Sequence, residues 1–119
     1  MLNKRSLGTE KEELAASYLE EQGVVILDKN FYFRGGELDI VAKDGEYLCF
    51  IEVKYRKSRQ FGFPEEAVTT AKQQKIIQGA KLYLYQKRYP VDMPCRFDVI
   101  SICQDEINWI KDAFSIGGW

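Results

Sequence analysis

The sequence predicts an α/β sandwich around a mixed sheet, in the order α-β-β-β-α-β-β. Three observations lead there. Two stretches space their apolar residues at the helical period, and several others alternate apolar and polar residues at the strand period. An Asp44-Gly45 pair then joins two of the alternating stretches in the manner of a tight hairpin. A chain of 119 residues has room for one domain, residues 1–119, with a single core.

The elements follow in order. Thr9 to Gln22 reads as the first helix: Leu14, Ala15, Tyr18 and Leu19 recur at helical spacing, and Gly23 stops it. Thr9 followed by Glu12 fits a capping box at its start. Val24–Asp28 is a short apolar run, read as a strand. Gly36–Lys43 and Glu46–Arg56 form the hairpin, because Asp-Gly tolerates the positive φ angles of a type I′ turn. Pro64–Val68 leads into a long helix, Thr70–Tyr89, buried through Ile76, Ile77, Ala80, Tyr83 and Leu84. In Cys95–Cys103, Phe97, Val99 and Ser101 alternate against Asp98, Ile100 and Ile102, and Glu106–Ile110 supplies the last strand.

Composition removes whole classes of chemistry. There is no histidine, so no imidazole base, nucleophile or metal ligand is available. The three cysteines lack CxxC spacing and read as small buried hydrophobes. A metal must therefore sit on oxygen, which points to Mg²⁺ or Mn²⁺. No apolar run is long enough to span a membrane, and the charged first residues do not resemble a signal peptide, so the expected location is the cytoplasm. Charge is unevenly spread: residues 1–53 carry six basic and eleven acidic side chains, residues 54–96 ten and three, residues 97–119 one and four. A cationic middle invites an anionic partner, although a solvated helix face accounts for it as well.

The hairpin gathers the remaining candidates. With Asp44-Gly45 as the turn, Lys43 faces Glu46, Val41 faces Leu48, Asp39 faces Phe50 and Glu37 faces Glu52. Alternation puts Glu37, Asp39, Glu52 and Lys54 on one face with Val41, Leu48 and Phe50. Leu38, Ile40, Ala42, Cys49, Ile51, Val53 and Tyr55 take the other, a core face. Asp39 and Glu52 become diagonal neighbours, about 7–8 Å apart at the backbone, close enough to converge on one small ion. The plainer account is an exposed charged face balanced by its lysine. The apolar residues sharing that face favour the wall of a cleft.

Here the residues resemble a known family. Asp39 followed by Glu52-Val53-Lys54 resembles the PD-(D/E)xK nuclease motif of restriction enzymes and Holliday-junction resolvases. Gly35-Gly36-Glu37-Leu38-Asp39-Ile40-Val41, then Phe50-Ile51-Glu52-Val53-Lys54-Tyr55-Arg56 and Phe61-Gly62, is similar to the YraN-like family (the UPF0102 group) of small bacterial proteins. Gly8, Glu12, Ala15 and Tyr18-Leu19 extend the likeness, which runs from Gly8 to Ile102. The proline of the motif's name is absent: Leu38 precedes Asp39.

The resemblance implies a restriction-endonuclease-like α/β/α sandwich and a Mg²⁺- or Mn²⁺-dependent endonuclease acting on DNA, branched or single-stranded forms included. In that reading Asp39 and Glu52 are direct metal ligands, with the Val53 carbonyl a third oxygen. Lys54 orients the attacking water or stabilises the developing charge, its rival role being a strand-end lysine in solvent. Glu12 matches an acid that resolvases place on their first helix beside the metal, against its capping-box role. Glu37 serves as an outer ligand or a base, or is an exposed strand residue. Gly35-Gly36 makes a turn or lets phosphate approach the backbone. The nucleic-acid grip falls to Arg56, Lys57, Arg59 and Gln60 on the loop and to Lys72, Gln73 and Lys75 on the long helix, without sequence specificity. Tyr32, Phe33 and Phe61 either stack on unpaired bases or belong to the core. The alternatives are a nucleic-acid-binding protein with an inactive or partner-dependent site, and an interaction protein whose charges only solubilise it. The oligomeric state is open, a homodimer being consistent with two-strand cleavage.

Overall fold

A computed structural model describes residues 4–56 and 68–115, with the side chains of the first helix described from Glu10 onward. The elements are α1 (Lys4–Glu21), β1 (Val25–Phe33), β2 (Gly36–Asp44), β3 (Tyr47–Arg56), α2 (Thr70–Gln86), β4 (Cys95–Cys103) and β5 (Glu106–Phe114), the order read from the sequence. The strands make one mixed sheet, ordered β1-β2-β3-β4-β5, with β3 and β4 parallel and every other pair antiparallel.

Alternation along the inner strands gives the sheet two apolar faces, and each helix covers one. Val41, Leu48, Phe50, Phe97 and Val99 pack with Ile76, Ile77, Ala80 and Tyr83 of α2. Ala42, Cys49, Ile51, Ile100 and Ile102 pack with Ala15, Ala16 and Leu19 of α1. Val41, Leu48 and Phe50 are thus the core beneath α2, which corrects their reading as a cleft wall. Among the described residues no helix is long and apolar enough to cross a membrane.

Helix ends are set by local chemistry. The helix predicted from Thr9 begins at Lys4, so Thr9 lies inside it and cannot head a capping box. At its other end Gly23 (φ 88) donates to Glu20 O, and Val24 donates to Leu19 O, the Schellman pattern. Thr69 caps α2: its Oγ1 accepts the Lys72 N–H at 3.2 Å. This helix stops at Gln86, three residues before the expected Tyr89, where Arg88 (φ 60) bends the chain and Tyr89 donates back to Leu84 O.

The hairpin register is the main revision. Val41 faces Phe50, Ala42 faces Cys49 and Asp44 faces Tyr47, so the turn is Gly45-Glu46 and not Asp44-Gly45. Only Gly45 has positive φ (60), the sign pattern of a type II′ turn. Facing partners move by two residues, a shift that by itself exchanges no face. Asp44 stays in the ladder and accepts from Arg96 Nη2 at 2.8 Å. Arg96 also grips Asp98, which is wholly buried and accepts further bonds from Trp109 Nε1 and the Asp112 N–H, each at 2.9 Å.

Candidate functional site

The site forms where β2 departs from regular strand geometry. Leu38 and Val41 both pack on the α2 side, whereas Ile40 and Ala42 pack on the α1 side. Alternation therefore breaks at Asp39. Across the strand pair, β1 carries Asn30 with φ 56, between the pairs Lys29–Ile40 and Phe31–Leu38. The β2–β3 ladder ends at Ile40–Ile51, one residue short of Asp39 and Glu52. Val53, released from that ladder, gives its N–H to Asp39 Oδ2 at 2.9 Å. A side chain thus satisfies an amide the sheet no longer uses.

Three carboxylates converge beside this break. Glu12 of α1 meets Glu37 and Asp39 of β2, with one oxygen from each lying within 4.8 Å of the others. Asp39 is 8% exposed, and Glu37 Oε2 is a buried atom without a hydrogen-bond partner. Burial first, then the charge of Glu52, raises the Asp39 carboxyl to about 8, although the Val53 amide opposes the rise and Glu12 and Glu37 add to it. Glu12 is raised as well, by burial and then by Glu37, while a hydrogen bond from Asn30 holds it down.

Glu52 stands next to this group in different company. It is 5% exposed, and its Oε1 lies 3.6 Å from Lys54 Nζ and 3.6 Å from Lys72 Nζ. The four residues assigned to one strand face thus divide: Glu37 and Asp39 gather with Glu12, and Glu52 gathers with Lys54 and Lys72. The halves remain coupled, since Glu52 raises both Asp39 and Glu12.

The other expected residues are spread around this centre. Val53 meets Asp39 through its amide. Arg56 ends β3, opposite Cys103. Lys75 is exposed on α2, and Gln73 spends its Nε2 on Val68 O at 3.0 Å. Lys57, Arg59, Gln60 and Phe61 lie outside the described residues. Gly35 (φ 107) makes the β1–β2 turn, whereas Gly36 is a strand residue under the Phe33 ring. Phe33 belongs to the core with α2, and Tyr32, paired with Glu37, is 65% exposed. Sequence reasoning missed Asn30 and the Lys72–Glu52 pair. An asparagine in an apolar strand run is a faint hint of positive φ; the ion pair left no local trace.

Three acids from two elements, with a buried orphan oxygen among them, are oxygen donors of the kind that could hold a hard divalent cation. Residues 11–102 match the Uncharacterised protein family UPF0102. The chain belongs to UPF0102. A UPF0102 protein of Lachnoclostridium phytofermentans is 50% identical over 117 residues, covering 98% of this chain and 99% of its own. Another from Clostridium perfringens is 45% identical over 118 residues (94% and 96% covered), and one from Vibrio campbellii 42% over 120 (98% of each). UPF0102 relatives thus align along nearly the whole chain.

Proposed function

We propose that this UPF0102 protein is a divalent-cation-dependent endonuclease that hydrolyses phosphodiester bonds in DNA, on a restriction-endonuclease-like α/β/α sandwich. One observation carries the reading: the carboxylates of Glu12, Glu37 and Asp39 crowd within 4.8 Å and leave Glu37 Oε2 buried and unpaired. Like charges so placed are relieved by protons or by a cation. Glu12, Glu37 and Asp39 would hold Mg²⁺ or Mn²⁺, with Glu52 adjoining. Such an ion, when bound, lowers the pKa of a water molecule and offsets charge on a phosphate.

The chain's own residues supply the remainder. The Val53 amide fixes Asp39, and Asn30 fixes Glu12, so the acids are oriented before any ligand arrives. Lys54, beside Glu52, stabilises negative charge developing at the phosphate. Arg56 and Lys75 grip the backbone without reading bases. Exposed Tyr32, across from Glu37, offers a face on which an unpaired base stacks.

Cleavage of single-stranded, flap and four-way-junction DNA with Mg²⁺ tests the proposal. The native chain should cut at least one form, and Asp39→Ala and Glu37→Ala should each lose about 100-fold or more. Equal cutting by the variants overturns it. Salt-dependent DNA binding without cleavage under any metal condition instead favours a nucleic-acid-binding protein with an inactive or partner-dependent site.

A further inference from the structure

The two lysines at Glu52 exceed what that carboxylate requires. A buried acid needs a counter-charge, and one lysine supplies it. Here Lys54 from β3 and Lys72 from α2 both lie 3.6 Å from the same oxygen, Oε1, so the group carries a surplus positive charge. Neither lysine is sealed in: their side chains are 30% and 36% exposed, while that of Glu52 is 6% exposed. The surplus therefore faces solvent, next to the cluster of Glu12, Glu37 and Asp39.

The placement of Lys72 also opposes helix stability. The first turn of a helix favours acids, because unpaired N–H groups make that end positive. The first turn of α2 has no acid and carries Lys72. A cation set against the dipole, pinned by its own N–H to the Thr69 cap, makes this corner more attractive to an anion than Lys54 alone.

We infer that Lys72 is the second cation of a phosphate subsite: it neutralises Glu52 in the free protein and turns with Lys54 to the phosphodiester of a nucleic-acid strand. The inference rests on the nuclease reading and deepens it. It moves Lys72 from a general backbone contact to the reacting phosphate. Glu52, relieved of a lysine, is then available to the cation side of the site. Metal and Lys72 thus compete for Glu52 when no strand is bound.

Lys72→Gln, Lys72→Arg and Lys75→Gln, the last an exposed control on α2, test this in two arms. The first is Mn²⁺ titration without nucleic acid. Lys72→Gln should bind Mn²⁺ about fivefold more tightly or better, with Lys72→Arg and Lys75→Gln near the native value. The second is Mg²⁺-dependent cleavage of single-stranded DNA, followed from sub-saturating to saturating concentration. Lys72→Gln should lose about tenfold or more in kcat, Lys72→Arg should recover part of it, and Lys75→Gln should change KM alone. Unchanged Mn²⁺ affinity in Lys72→Gln, or an equal change in Lys75→Gln, overturns the role at Glu52. A kcat unaffected by Lys72→Gln overturns the role at the phosphate. If the native chain binds Mn²⁺ but cuts nothing, the nuclease reading falls, and with it the phosphate role.

Discussion

Two buried aspartates show how environment decides what a carboxylate does. Asp98 is fully enclosed, yet Arg96, Trp109 and the Asp112 amide satisfy both of its oxygens. Asp39, 8% exposed, receives one amide and faces Glu12, Glu37 and Glu52. The same substitution should therefore act in opposite directions at these positions. Asp39→Asn keeps an oxygen for the Val53 amide and removes a repelled charge. We expect it to stabilise the metal-free protein at pH 8 by about 1–3 kcal/mol, while abolishing stabilisation by Mn²⁺. Asp98→Asn strips Arg96 of its buried partner and should cost about 3–5 kcal/mol. Thermal unfolding of both variants, with and without Mn²⁺, measures the contrast; destabilisation by Asp39→Asn would mean that the acids do not repel in the fold.

At the scale of elements, the site depends on how closely α2 sits over the first hairpin. Gly79 permits that approach: a Cβ there would lie 2.4 Å from the Phe33 ring and 3.0 Å from Leu38 Cδ2. The same ring lies over Gly36, where a Cβ would come within 3.1 Å of it, so both glycines leave it space that a side chain would take. Gly79→Ala should destabilise by about 1–3 kcal/mol despite alanine's better helix propensity, and should tighten Mn²⁺ binding by drawing Lys72 away from Glu52. Chemical denaturation read beside Mn²⁺ titration checks both. What sequence revealed follows the same division. Periodicity and apolar runs located seven elements in the right order, but ended the first strand at Asp28 and the last at Ile110, whereas β1 runs to Phe33 and β5 to Phe114, half-exposed strands whose outer residues alternate too weakly to read. The turn lies one residue later than Asp44-Gly45, at Gly45-Glu46: both pairs offer a glycine, and Asp44 stays in the ladder opposite Tyr47, where it accepts from Arg96. The break at Asp39 was invisible, because alternation assumes a regular strand and the irregularity lies on the neighbouring one, at Asn30. Glu12 beside Glu37 was beyond local reading altogether, being a product of α1 packing on the sheet.

Across the whole molecule, the acidic centre should leave its mark on stability against pH. Asp39 is raised from its ordinary range to about 8, first by burial and then by Glu52, and Glu12 is raised by burial and Glu37. A raised carboxyl binds its proton more tightly in the folded chain than in the unfolded one. Between the unfolded value near 4 and the folded value, the native state thus holds the extra proton. Stability from this source is complete below about pH 4 and falls as pH rises toward 8, by at most about 1.4 kcal/mol per unit for each full proton of difference. Most single domains lose stability toward acid as paired carboxylates protonate; here the centre adds a slope of the opposite sign across pH 5 to 8. We expect the melting temperature of the metal-free protein to decline over that window. Asp39→Asn should flatten the decline by removing the main titrating group. Saturating Mg²⁺ should reverse it, since a cation stabilises the ionised acids and competes with protons for them. Melting curves at successive pH values, with EDTA or Mg²⁺, separate these cases. A native profile that rises from pH 5 to 8 in EDTA, and that Asp39→Asn leaves unaltered, would show that the three carboxylates are solvated and have no need of an ion.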